Sequence, residues 1–300
     1  MIRGGPLLPL GPFSVRTALA FACVAGVAAS ARQQPVFRTS VEGVSVTVSV
    51  RKGGAPVAGL TAADFEIFDN GVPQKISAFT VEALPVDVTL LLHVSRSIAG
   101  YRLEWLRSSV REAAGLLKAD DRLRLIAVQH ALRELAPLQG GQRPDVETLV
   151  ATGGTALYDA LAASLMRPSQ ADRRQLVIAF TTGVDTISVL GLDAVESIAG
   201  LADAVVHLVV PVAGSAGARK SLLADAAPLS NLVARTGGQV FPADADAPIG
   251  GAFTRAIEEF RTSYVLRYVP QRVTRDGWHD ISVTVKGGPF EIRARKGYGG

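Results

Sequence analysis

Cysteine is almost absent from this chain, and histidine nearly so. A single cysteine, Cys23, excludes an internal disulfide and any cysteine-built metal site. The four histidines are spread widely, and none stands close to His93 to share a transition metal with it. Charged residues are also few, at 19%. The basic ones are scattered apart from Arg293-Ala294-Arg295-Lys296, so the concentrated positive footprint of a nucleic-acid binder is missing. No Gly-x-x-x-x-Gly-Lys-Ser/Thr phosphate loop occurs, and no Gly-x-Ser-x-Gly elbow frames a serine nucleophile. Outside the N-terminal region, no stretch approaches the ~18 apolar residues of a membrane-spanning helix.

What is present is a 48% apolar chain of 300 residues, enough for a large core. Residues 1–31 have the pattern of an export signal. Arg3 and Arg16 precede the apolar stretch Thr17–Ala29, and Ala29-Ser30-Ala31 offers a small-residue cleavage site. Cys23 lies inside this segment, with lipid attachment there as the alternative to cleavage. Without the two arginines of the segment, 29 basic residues face 27 acidic ones, a net charge of +2. The expected product is an exported protein, periplasmic or extracellular, with no membrane span after cleavage.

Residues 36–83 have β character. Val41–Val50 alternates apolar and polar with period two, Phe65–Phe68 is a second short strand, and Asp69-Asn70-Gly71 is a hairpin turn before a third. From Val86 the rhythm becomes strand, helix, strand. Strands are expected at Val86–Leu92, Leu123–Val128, Gln175–Thr181, Ala204–Val210, Gly238–Phe241 and Ser263–Tyr268. Between them run amphipathic stretches such as Leu103, Leu106, Val110, Ala113 and Leu117. This alternation predicts an α/β fold over 86–269, with a mainly parallel six-stranded sheet covered on both faces. The tail 278–295 returns to β as a hairpin, expected to join 36–83 in one small antiparallel unit.

The apolar strand Val86–Leu92 ends in His93, Ser95 and Ser97. Small polar groups at the carboxyl end of a buried strand stand where open α/β sheets bind ligands. Further along come Gly153-Gly154-Thr155-Ala156-Leu157-Tyr158-Asp159-Ala160-Leu161, then Val177–Thr186 with Thr182-Gly183-Val184-Asp185, then Leu232–Phe241 with its Gly237-Gly238 step. In this order the fragments resemble the von Willebrand factor type A (VWA) family, in a bacterial secreted subgroup whose flanks are similar to Leu60–Glu66, Asp69–Gln74 and Tyr264–Tyr268. The resemblance covers roughly residues 36–298. It implies a Rossmann-like doubly wound fold and a metal-ion-dependent adhesion site. In that family the first fragment reads Asp-x-Ser-x-Ser and the third Asp-Gly-x-Asp.

By position, Ser95, Ser97 and Thr155 keep the hydroxyl ligands that the resemblance implies. The carboxylates are lost, with His93 replacing one and Thr182 the other; Asp185 is the nearest remaining acid. Ligand charge largely sets affinity in oxygen-donor sites, so Mg²⁺ is not expected as a cofactor. Several readings of these residues stay open. Hydroxyls such as Ser97 and Thr155 also serve as helix caps. His93 and Arg96 beside a helix N-terminus would suit a partner's carboxylate. A serine hydrolase would need a constellation that is incomplete around Ser95 and Ser97. The expected function is a non-enzymatic module that binds another protein through a degenerate site of His93, Ser95, Arg96, Ser97, Thr155, Thr182 and Asp185. The alternatives are an inert scaffold in an envelope complex or a metal-dependent adhesion domain.

Overall fold

The computed structural model describes residues 43–300 except 82–83, 142–143, 171, 213–215, 245–247 and 275. The signal read over residues 1–31 lies outside the described residues. The chain enters with β1 (Val44–Lys52), whose Val46, Val48 and Val50 point inward at period two. The short β2 (Ala55–Pro56), β3 (Phe65–Asp69), β4 (Val72–Gln74) and β5 (Ile76–Val81) follow. Asn70 and Gly71 join β3 to β4 with φ of 48° and 78°, the doubly positive pair of a tight hairpin turn.

Strands and helices then alternate. They run β6 (Val86–His93), α1 (Tyr101–Gly115), β7 (Arg122–Val128), β8 (Leu132–Gln139), α2 (Leu157–Leu165) and β9 (Arg174–Phe180). Next come α3 (Leu192–Leu201), β10 (Val205–Pro211), α4 (Ala216–Ala226), α5 (Ser230–Arg235), β11 (Val240–Ala243) and α6 (Ile249–Arg261). The chain closes with β12 (Tyr264–Tyr268), β13 (Trp278–Val285), β14 (Glu291–Ala294) and β15 (Gly297–Gly299).

Strands β6 to β11 form one sheet in the order β11-β10-β9-β6-β7-β8, with every neighbouring pair parallel except β7 and β8. Counted from β6, this is the doubly wound order 3-2-1-4-5-6, and the winding direction reverses between β6 and β9. Every residue of β6 is buried, as a strand covered on both faces must be. Its even residues Val88, Leu90 and Leu92 share a core with Leu106 and Val110 of α1 and Phe253 and Phe260 of α6. Its odd residue Leu91 faces the other way, toward Leu157 and Leu161 of α2 and Val195 of α3. Truncating one of these leucines to alanine removes a fully buried side chain, a change that costs about 2–5 kcal/mol.

The sixth strand differs from the sequence expectation. Ser263–Tyr268 is expected in the α/β sheet, but β12 lies in a second sheet between β1 and β5, and the α/β part ends with α6 rather than at 269. A short apolar run is buried equally well in either sheet, so periodicity does not separate the two. The true sixth strand, β8, is antiparallel and largely exposed; only Ala136 in it is buried. Its Arg133, Glu134 and Pro137 read as loop.

The flanking strands make two antiparallel sheets. One has the order β14-β1-β12-β5, with β2 on β1; the other is β15-β13-β3-β4. Both contribute to one core containing Val46, Val48, Phe65, Ile67, Tyr264, Leu266 and Ile281. The expected 278–295 hairpin is corrected here. β13 pairs with β3 and β15 while β14 pairs with β1, so the Gly287-Gly288-Pro289 turn carries the chain from one sheet to the other. Buried Asp69 pins the flanks together. Its Oδ2 accepts the Tyr268 and Tyr298 hydroxyls at 2.9 Å each, and its Oδ1 lies 2.8 Å from His279 Nδ1.

Candidate functional site

The carboxyl ends of β6 and β9 meet where the winding reverses, the place where open α/β sheets form a crevice. The register Leu92↔Phe180 makes His93 and Thr181 the next residues at that end. Both are odd-numbered and so continue the face of Leu91, Val177 and Ala179, which packs toward α2. His93 Nδ1 lies 3.2 Å from Thr181 Oγ1, and His93 Nε2 lies 2.6 Å from Thr155 Oγ1 at the entrance to α2. His93, Thr155 and Thr181 are all buried. The Thr181 hydroxyl also accepts the Gly183 N–H at 3.0 Å.

Alternation explains why Thr181, predicted as a strand end but not as a site residue, is the residue that meets His93. The predicted Thr182 stands one position further, half-buried beyond the end of β9. The parallel register of two adjacent strand ends is the signal that would have found Thr181. Ser95 and Arg96 follow His93 directly. Ser95 is half-buried before a single 3₁₀ turn, Arg96–Ile98, and Arg96 is exposed. Ser97 lies within that turn.

Asp185 belongs to the structural framework of the site. Its Oδ2 accepts the Leu157 and Tyr158 N–H groups at 2.7 and 3.1 Å, capping α2 from a distant loop. Ser188 adds its N–H to Oδ1 at 3.1 Å and its hydroxyl to Oδ2 at 2.5 Å. Asp159, one turn inside α2, returns the connection by accepting the Val189 and Leu190 N–H groups at 3.0 Å each. Thr186 Oγ1 takes the Thr155 N–H at 2.8 Å, while the Thr155 carbonyl accepts the Thr186 and Ile187 N–H groups. The loop 183–190 is thereby fastened to the start of α2 along its length. Gly183 makes the bend possible. Its φ is 91°, and a Cβ there would meet Ala226 Cα at 2.4 Å.

Electrostatics at this site run against a cationic pocket. Burial pushes the His93 imidazole down to about 4, and the nearby Asp185 charge opposes this only in part. At neutral pH the ring is uncharged, and both its nitrogens already face threonine hydroxyls. The anion-pocket expectation therefore loses its buried cation, because desolvation outweighs the acid. Nor does the donor set fit Mg²⁺, which demands hard oxygen ligands in octahedral geometry. An imidazole and two threonine hydroxyls stand at this strand end. The remaining carboxylate, Asp185, has both oxygens engaged by N–H and hydroxyl donors.

No protein-family model and no curated protein matches the chain. Solved structures do resemble it. A von Willebrand factor type A protein from Catenulispora acidiphila aligns at a TM-score of 0.46 and 12% identity, over 79% of this chain and 72% of that one. The ArnB paralog VWA2 from Sulfolobus acidocaldarius aligns at 0.45 and 10%, over 84% and 75%. An aerotolerance-related membrane protein from Bacteroides fragilis aligns at 0.44 and 14%, over 58% and 98%. Its strand order and antiparallel edge strand give the chain a doubly wound, Rossmann-like α/β fold, and the ordered motifs of its sequence resemble the von Willebrand factor type A family.

Proposed function

We propose that this chain is a non-enzymatic protein-interaction module, exported to the periplasm or beyond. It binds its partner at the carboxyl edge of the α/β sheet without a metal. The observation that carries this reading is the loop 183–190. Val184, Ile187 and Val189 are exposed on it, Val189 to 92%, although the loop's backbone is hydrogen-bonded to the Thr155 carbonyl and the Asp159 carboxylate. Large aliphatic side chains held out on a fixed backbone mark a surface built to be covered. The ordering cost of binding is already met in the free protein. Val150, on the segment leading to Thr155, is a further exposed aliphatic side chain.

A photo-crosslinking residue at Val189, introduced in the source cell envelope, tests the reading. It gives one saturable adduct that is insensitive to chelator and lost on Ile187→Asp, while the same probe at exposed Met166 gives none. Equal labelling at both positions would sink it. The scaffold reading, with an inert site, is favoured by one observation: His93 is fully engaged within the chain. It predicts no adduct at Val189.

A further inference from the structure

Asn70 and Gly71 make the turn between β3 and β4, and the dipeptide Asn-Gly occurs nowhere else in the sequence. Both residues are exposed, and the pair Asp69↔Val72 leaves them alone to reverse the chain. Glycine carries no side chain to shield its backbone nitrogen. In an opened chain that nitrogen can attack the amide carbon of the asparagine before it. In the folded turn Asn70 is tied to β13 at two points. Its N–H donates to the Asp280 carbonyl at 2.9 Å, and its Oδ1 accepts the Asp280 N–H at 2.9 Å. The turn also holds Asn70 at a φ of 48°, in the left-handed region. Attack requires the Gly71 nitrogen to eclipse Asn70 Cβ, and a left-handed residue turns that nitrogen to the opposite side. The fold thus brings a reactive pair to the surface and holds its reacting atoms apart.

We infer that Asn70 is a site of spontaneous deamidation, gated by the opening of the β3–β4 turn. In the open turn the Gly71 nitrogen gives its proton to solvent and bonds to Asn70 Cγ. The side-chain nitrogen takes a proton from solvent and leaves as ammonia. Water then opens the cyclic imide at either of its carbonyls. One opening gives aspartate; the other gives isoaspartate, in which the main chain runs through Cγ. The gate is a weak one, because β4 has three residues, carries Pro73 at its centre and ends its sheet. Both products oppose reclosure. A new carboxylate stands next to buried Asp69 and against the Asp280 backbone. Isoaspartate also adds a carbon to the backbone of a two-residue turn, so the Asp69↔Val72 pairing no longer fits. Asp69 accepts the Tyr268 and Tyr298 hydroxyls, so the strain passes to β12 and β15. The turn acts as a one-way counter of its own openings, independent of the surface on the loop 183–190.

Peptide mapping of the full chain, incubated at mildly alkaline pH, reads conversion at Asn70 by the mass gain of amide to acid. Asn231, followed by Leu232 inside α5, is the internal reference. The chain unfolded in urea converts Asn70 ahead of Asn231. The folded protein converts Asn70 more slowly by about tenfold or more, because only the open fraction reacts. Urea below the unfolding midpoint raises that folded rate. The converted protein, separated by its added negative charge, unfolds at a lower denaturant concentration than the unconverted one. Equal rates in the folded and unfolded chains overturn the gate. No conversion at Asn70 in the unfolded chain overturns the site itself. An unchanged midpoint after conversion overturns the link between the turn and the flanking strands.

Discussion

His93 Nε2 and Thr155 Oγ1 lie 2.6 Å apart at the switch point of the sheet, joining the end of β6 to the entrance of α2. Two strand ends and the entrance of a helix meet through an uncharged ring and two hydroxyls. The bonds that position the loops are therefore internal to the chain.

A buried neutral histidine makes stability depend on pH. The folded-state value of His93, about 4, lies below the unfolded value of 6.5, so the unfolded chain binds more protons between the two. Stability is complete above pH 6.5 and falls as pH drops toward 4, by up to roughly 3 kcal/mol from this group. His207, which burial pushes down to about 3, adds to the same slope. Urea denaturation across this range should show a shallower decline in a His93→Gln variant. An unchanged slope would place the titration elsewhere.

Asp185→Ala removes the acceptor for the first N–H groups of α2 and for Ser188. Loss of a helix cap costs about 0.5–2 kcal/mol, and the buried donors left behind push the effect to the upper end. Denaturant midpoints compare the variant with the unmodified protein. A loss below a few tenths would mean that water replaces the carboxylate.

Gly183→Ala forces a side chain toward Ala226 at a left-handed backbone position. The expected loss exceeds about 1 kcal/mol, more than the gain an alanine gives at a compatible site. An unchanged thermal midpoint would show that the bend relaxes.

Calorimetry with millimolar Mg²⁺ should be silent for the unmodified chain. His93→Asp combined with Thr182→Asp returns two carboxylates to a framework that retains Ser95, Ser97 and Thr155. Without metal the double variant should melt lower, because it loses the bonds to Thr155 and Thr181. Mg²⁺ should then raise its midpoint while leaving the unmodified protein unaffected. No response in the double variant would mean that the hydroxyls are not aimed as ligands.

Much of the fold is legible in the sequence because burial writes itself into composition. The run Val86–Leu92, apolar except for Asp87 and Thr89, reads as a buried strand, and Asp69-Asn70-Gly71 as a tight turn. β8 is not legible, since an exposed edge strand needs no apolar side chains. The destination of Tyr264–Tyr268 depends on which sheet receives it, and a run buried on both faces carries no address. In the site, His93 and Thr155 come from the resemblance of their two fragments to the family's, and the structure brings their side chains together. Thr181 requires the register between β6 and β9, which no single segment contains. Asp185 is recognisable as an acid near the site, but its work as a remote helix cap depends on how the loop folds back.

The pairing of β1 also governs when this protein can fold. Val44 finds its partner at Tyr268, and Arg51 finds its partner at Glu291. A chain emerging from its N-terminus pairs β1 only with the two-residue β2 until nearly all the rest has been made. Contacts this distant in sequence form slowly, and an unpaired apolar strand is open to wrong partners in the interval. The central α/β layers have closer partners and can assemble first, so that closing the flanks over β1 is the last act of folding.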